Sequence, residues 1–296
     1  MNEQQIVVFG EVLFDCFPTG EQALGGAPFN VAWHLAALGT DPFLVSAIGD
    51  DDLGRQILAA MNNWNMRTDG VQINREYPTG RVEVRIVDGQ PSYQISEDVA
   101  YDHILADLLP ASDADFILYH GTLALRHKES QQAFDALAAR QGCQLFLDVN
   151  LRSPWWDKAA VLHHLKRARW AKMNTDELAE LGFADPNIDH AMAGLMRQTT
   201  LEQLIVTRGA DGALVRTRAG ELVPVPAPPI KRYIDTVGAG DAFAAVYLQG
   251  LLHDRPIEKN IRWAQQLAAD IIGMRGAIPT DTTLYQTLTS TGCNHV

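Results

Sequence analysis

The chain has 296 residues, a formal charge of −12 at pH 7, 47% hydrophobic residues and 20% charged ones. Such a length suits one α/β domain with a smaller appended element, and the composition excludes a disordered or collagen-like chain. The acidic balance argues against a nucleic-acid partner, because phosphate backbones are held by clustered Lys and Arg, yet it leaves room for an anionic small ligand held by backbone N–H groups, local cations or magnesium.

Met1 to Gln5 is polar and leads straight into Ile6-Val7-Val8-Phe9, which reads as a first strand and is too short for a signal-peptide core or membrane span. No membrane partner is expected. Cys16, Cys143 and Cys293 are far apart and form no Cys-x-x-Cys pair, which fits a reduced, cytoplasmic setting. Pro28 to Leu38 reads as a helix with proline in its first turn and Gly39 as its stop. Phe43 to Ile48 is a further strand, and Asp52 to Trp64 a helix with Leu53, Ile57, Leu58 and Met61 on one face. Next, Arg81 to Ile86 alternates polar and apolar, Asp88-Gly89 offers a hairpin turn, and Tyr93 and Ile95 resume the alternation. The result is an antiparallel flap, open on this pattern alone between a lid over a ligand and an ordinary edge hairpin.

Strands are also expected at Phe116 to Tyr119, Leu145 to Val149 and Leu204 to Thr207. Their alternation with helical patterns predicts a mostly parallel sheet covered on both faces. Val223 to Ile230 carries Pro224, Pro226, Pro228 and Pro229 and reads as an edge connection, because the helical patterns Ala239 to Leu252 and Ile257 to Met274 are needed to cover the sheet.

Chemistry concentrates in Asp235-Thr236-Val237-Gly238-Ala239-Gly240-Asp241-Ala242-Phe243. Gly238 and Gly240 permit close approach of the backbone to a ligand, and free N–H groups at the helix start would face an anion. Asp241 falls in the first helical turn, where it could accept a proton from a hydroxyl. A dinucleotide Gly-x-Gly-x-x-Gly is not met, since Phe243 takes the third glycine's place and a proline-rich segment precedes, and no Walker loop occurs. His163-His164 is not a spacing that sets two ligands on one helix face, so a His-held catalytic metal is not expected. Asn30 in Gly25-Gly26-Ala27-Pro28-Phe29-Asn30 offers donors and an acceptor suited to a polyol. Asn174-Thr175-Asp176-Glu177 offers oxygen ligands suited to magnesium, or a helix cap.

The Asp235 to Asp241 string resembles the signature of the ribokinase-like carbohydrate kinases, and the other segments follow that family's order from about Gly10 to Pro279. Gly10-Glu11-Val12-Leu13-Phe14-Asp15, the Gly-Gly segment and Asp148-Val149-Asn150-Leu151-Arg152 are most similar to fructokinases. The resemblance implies a Rossmann-like α/β fold over residues 1–296 with a small β-sheet lid, its strands inserted at about 12–17 and 81–95. It also implies an ATP-dependent sugar kinase, most like fructokinase, with 2-keto-3-deoxygluconate kinase, ribokinase and a nucleoside kinase as alternatives and a non-catalytic sugar sensor further off. Asp241 would be the base, Gly238, Ala239 and Gly240 the anion hole, and Arg152 a contact to the transferred phosphate. Asp15, Gly25, Gly26 and Asn30 would bind sugar, joined by Arg85 and Tyr93 from the flap. Thr207, Gly209 and Gly212 would line the nucleotide, with Gln265 on the adenine side. Asn174 and Glu177 would position magnesium, and Asp235 a monovalent cation such as potassium, although Met274-Arg275-Gly276-Ala277 is one residue shorter than the family's closing loop. Trp155 and Trp156 are expected to pack rather than bind. A homodimer through the lid is a further expectation.

Overall fold

Apolar side chains occupy successive positions of the central strands, and the pleat sends them alternately to opposite faces. The structure, a computed structural model, describes residues 4–87, 90–109 and 115–286; the turn expected at Asp88-Gly89, and Cys293, lie outside the described residues. In chain order these form β1 (Gln5–Phe9), β2 (Leu13–Cys16), β3 (Gln22–Gly25), α1 (Ala27–Ala37), β4 (Phe43–Gly49), α2 (Asp52–Asn63) and β5 (Val71–Asn74). There follow β6 (Gly80–Val87), β7 (Gln90–Ile95), β8 (Phe116–His120), α3 (Lys128–Ala138), β9 (Cys143–Asp148), α4 (Lys158–Arg167) and β10 (Trp170–Asn174). The last elements are α5 (Thr175–Glu180), α6 (Ile188–Met196), β11 (Gln203–Thr207), β12 (Ala213–Thr217), β13 (Leu222–Val225), α7 (Ala239–Leu252) and α8 (Ile257–Ile272).

Nine strands make one sheet in the order β13-β12-β11-β10-β9-β8-β1-β4-β5, parallel from β5 to β11 and antiparallel at β12 and β13. Ile6, Val8, Ile117, Phe146 and Ile205 pack beneath α1, α2, α7 and α8. Their neighbours Phe9, Leu118, Leu147 and Val206 face α3, α4 and α6. Thus single strands feed two cores. Pro224 stands in β13 at the sheet's edge, where its missing N–H removes no ladder bond on the open side.

A second, smaller sheet has the order β3-β2-β6-β7. The flap expected at Arg81 to Ile95 is its antiparallel β6–β7 hairpin. At one joint of this sheet the strands are parallel, where β2 lies beside β6. Both strands leave the same edge of the large sheet, after the parallel strands β1 and β5, and so run the same way. Strand β3, not expected from the sequence, delivers Gly25 beside Leu13 and leads directly into α1.

Candidate active site

The C-terminal ends of the parallel strands bring the chemistry-bearing residues to one edge of the sheet, the side where open α/β sheets receive ligands. Asp148 ends β9, Asn174 ends β10 and Thr207 ends β11, while Glu11 follows β1 by two residues. Helix α7 starts at the same edge. Its N-cap, Gly238, has φ +79°, and a Cβ there would lie 2.5 Å from Ala277 Cα, so both conformation and space demand glycine. The Ala239 N–H donates to Thr236 O at 3.3 Å, whereas no described acceptor takes the N–H groups of Gly240 and Asp241. Of the expected Gly-Ala-Gly donors, Ala239 is therefore turned inward, and the open N–H groups of this helix start belong to Gly240 and Asp241.

Asp241 is half-buried at its surface but set deep in the protein. Its Oδ2 accepts a 2.8 Å hydrogen bond from Asn30 Nδ2. Burial pushes its carboxyl up to about 6; the Asn30 hydrogen bond opposes this, nearby Asp148 adds to the rise, and the charges of Lys172 and Arg152 lower it. Asp15 is close by, since a methyl group at Gly25 would lie 3.7 Å from Asn30 Oδ1 and 3.9 Å from Asp15 Oδ2. Burial raises the Asp15 carboxyl to about 6, with Arg152 pulling the other way. Arg152 is exposed and donates no hydrogen bond to a described residue, and its charge is felt by Glu11, Asp15 and Asp241 together. Gly26 caps α1 with φ +107°, where a Cβ would strike Glu11 O at 2.6 Å.

Strand pairing separates the two flap candidates. Asp15 pairs with Val82, and Val84 with Tyr93, so Tyr93 stands on the face of Asp15 and is 58% exposed. Arg85 lies one residue out of phase, on the opposite face, and its guanidinium donates to Glu83 at 2.9 Å. Of the two flap residues expected to join Asp15, the register places Tyr93 on its face and Arg85 on the other.

On the other side of the Gly240 turn is a cavity of about 650 Å³. It gathers Thr207, Gly209, Gly212 and Gln265 with Ala239 and Gly240, and its wall includes Ala227, Pro228, Ile230, Tyr233, Ala268 and Ile272. Gln265 is buried; its Nε2 donates to Val225 O at 2.9 Å while its Oε1 has no partner.

The family model for pfkB family carbohydrate kinases matches residues 4–284. The chain belongs to this family. It is 31% identical over 261 residues to a fructokinase of Klebsiella pneumoniae, spanning 83% of this chain and 84% of that relative. A fructokinase from Xylella fastidiosa with bound ATP superposes with a TM-score of 0.86 at 23% identity, covering 98% and 99% of the two chains. An aminoimidazole riboside kinase from Salmonella enterica, complexed with aminoimidazole riboside and an ATP analog, gives 0.84 at 24% identity, covering 97% and 99%. The ribokinase-like fold expected from the motifs is thus shown, and the protein is an ATP-dependent carbohydrate kinase. Among the described residues, no helix of the kinase is long and apolar enough to cross a membrane.

The residues offered for cations are already engaged. Asn174 caps α5 through a 2.8 Å bond from Glu177 N, and Glu177 accepts from Asn174 N at 2.8 Å and from Leu151 N at 3.0 Å. This is the helix-cap alternative open to that segment, and burial raises the Glu177 carboxyl despite these bonds. Asp235 accepts from Val237 N at 3.1 Å, and its own N–H donates to Ile272 O at 3.2 Å, tying the start of the signature string to the end of α8. Trp155 packs under Arg126, whose guanidinium carbon is 4.6 Å from the ring centre.

Two groups in the kinase site are not singled out by the sequence motifs. Lys172 Nζ donates to both Asp148 oxygens at 2.9 and 2.8 Å, Tyr119 OH donates to Asp148 Oδ2 at 3.1 Å, and a Cβ on Gly240 would sit 3.5 Å from Lys172 Nζ. A buried ion pair therefore underlies the glycine turn. A lone lysine inside the apolar strand Trp170-Ala171-Lys172-Met173 is the signal the sequence offers for it. Glu11 is 4% exposed, its Oε2 lacks a partner, and burial pushes its carboxyl up to about 7, opposed by a backbone hydrogen bond and Arg152. Its signal is a carboxylate directly after a buried strand.

Proposed function

We propose that this kinase transfers the γ-phosphoryl group of ATP to the 6-hydroxyl of fructose, with Asp241 as general base. One observation carries the reading: Asp241 stands between the 650 Å³ cavity reached by Gly240 and the polar cluster of Asp15 and Asn30. ATP fits the cavity, where apolar wall residues suit the flat purine and the unpartnered Gln265 Oε1 would accept from its amino group. Thr207, Gly209 and Gly212 line the path toward Gly240. Sugar lies among Asp15, Asn30, Gly25 and Gly26, with Tyr93 above it and the small sheet as lid. Its hydroxyl gives a proton to the Asp241 carboxylate as the oxygen attacks the γ-phosphorus and the bond to ADP breaks. The N–H groups of Gly240 and Asp241, at the αL turn made by Gly238, stabilise charge on the phosphoryl oxygens, and Arg152 adds a fork of donors.

Glu177 and Asn174 would hold magnesium through water, since their direct lone pairs are partly taken, and the ion would supply neutralisation of phosphate charge. Asp235 is proposed for a monovalent cation. A homodimer is proposed through the small sheet, whose outer strands β3 and β7 are open edges. The exposed Arg152, free of described hydrogen bonds, supports a second substrate, 2-keto-3-deoxygluconate, whose carboxylate a guanidinium would grip.

The test is ADP release with magnesium and ATP against fructose, ribose, 2-keto-3-deoxygluconate and adenosine. Fructose is expected to give the highest kcat/KM, and Asp241→Asn to lower kcat by about 100- to 10,000-fold with a small change in KM. The mechanism fails if none of these acceptors supports ADP release or if the variant retains full activity; preference for the keto acid selects the second reading.

A further inference from the structure

Away from the kinase site, three potential metal ligands converge where the chain leaves the small sheet. Asp98, three residues after β7, places Oδ1 3.9 Å from His103 Nε2 and 3.5 Å from His127 Nε2. All three donor atoms lie within 4.8 Å of one another. Tetrahedral bonds of about 2.1 Å to zinc require ligand separations of roughly 3.4 Å, which the two contacts to Asp98 approach, and the two histidines would draw together on binding.

His103 supplies the second, independent observation. Its side chain is 7% exposed and its ring stacks on Tyr77 with centroids 3.5 Å apart. Nδ1 is 2.7 Å from Glu129 Oε2, whereas Nε2 is buried without a hydrogen-bond partner and faces the cluster. A carboxylate on Nδ1 favours the proton there and leaves the Nε2 lone pair free, the arrangement by which carboxylates orient metal-binding histidines. His127 stands at the N-cap of α3, partly exposed, so a fourth position stays open to water.

We propose that Asp98, His103 and His127 form a site for a transition-metal dication of the zinc class, supported by Glu129 and separate from the magnesium of phosphoryl transfer. Two neutral imidazoles and one carboxylate are a donor set that suits zinc rather than magnesium. Occupancy clamps the segment after β7 to the start of α3 and thereby the root of the small sheet.

Purified full-length kinase, stripped of metal and without a tag, is titrated with zinc against a chromophoric chelator. About one equivalent is expected to bind, with affinity at least 10-fold weaker in Asp98→Ala, His127→Ala and the supporting variant Glu129→Gln. Zinc at a hundredfold excess over the wild-type Kd should raise the Tm by roughly 4 °C in the wild type and by about half of that or less in the variants. Cobalt should give the intense visible absorption of a tetrahedral site, lost in the same variants. Because Asp98 and His127 are at least partly exposed, these substitutions avoid the buried, stacked His103. If the wild type binds zinc no more tightly than the Asp98→Ala/His127→Ala double variant, the trio is only a set of ion pairs and the proposal is overturned.

Discussion

The two ends of the cleft are built from different materials. At the nucleotide end, the Gly238 turn, the Thr207 to Gly212 connection and an apolar wall present mostly backbone and small side chains, and the turn rests on the buried Asp148–Lys172 pair. At the other end, Asp15, Asn30, Glu11 and Arg152 meet as side chains from a strand, a helix and two loops, and the carboxyls of Glu11, Asp15 and Asp241, which feel the charge of Arg152, are all raised by burial. Backbone geometry at a helix start is indifferent to the acceptor, which suits a phosphate common to every reaction of the family. Side-chain hydroxyl contacts are where acceptors can be told apart.

The largest expected effect separates these ends by attacking the support of the first. Lys172→Met would leave the Asp148 carboxylate buried and uncompensated, and should reduce the free energy of unfolding by about 3–5 kcal/mol in a urea titration. Adding Asp148→Leu, which removes the orphaned charge, should restore much of the loss. The ratio of kcat/KM values between fructose and ribose should move little in whatever fraction folds. A changed ratio would show that the ends are not independent.

Asp15→Ala probes the second end and should raise KM for sugar about 10- to 100-fold while KM for ATP stays within a factor of about two, as loss of a charged hydrogen-bonding group requires. The pH profile follows in size. Because the Asp241 carboxyl is raised to about 6 and the base must be ionised, kcat/KM should rise about tenfold per pH unit up to roughly pH 6 and level above it. The charge of Asp241 adds to the rise of the Glu11 carboxyl to about 7, above Asp241 itself, so Glu11 is still neutral while Asp241 ionises and Glu11→Gln should leave this limb in place. A limb displaced by that substitution would assign it to another group.

Much of the first end is legible in the amino-acid sequence, because its information is local. The helical pattern from Ala239 to Leu252 coincides with α7, and the glycines mark the turn by their own conformational freedom. The hairpin alternation is equally local, and β6–β7 pair as it implies. Lys172 is not legible because its meaning comes from Asp148 and Tyr119 on other strands, brought together only by parallel register. Strand β3 gives no signal since Gln22-Ala23-Leu24-Gly25 is too short to display a period, though it carries Gly25 to the site. Arg85 and Tyr93 are indistinguishable in sequence for the same kind of reason: which face each occupies depends on the register of β2 against β6, which neither strand declares alone.

That register gives the smallest and most discriminating comparison. Tyr93 shares a face with Asp15, but it remains 58% exposed in this structure, so its contribution depends on the small sheet closing over sugar. Tyr93→Ala should raise KM for sugar about 3- to 10-fold, the value of one modest contact, and leave KM for ATP unchanged. Arg85→Ala, a larger change in charge on the neighbouring strand, should alter neither constant by more than about twofold, because the residue faces away and its exposed pairing with Glu83 contributes little. The pair is measured best side by side in steady-state ADP release. An Arg85→Ala effect equal to that of Tyr93→Ala would mean that both faces of the hairpin meet ligand, as they would if the lid of one molecule reached the cleft of a second.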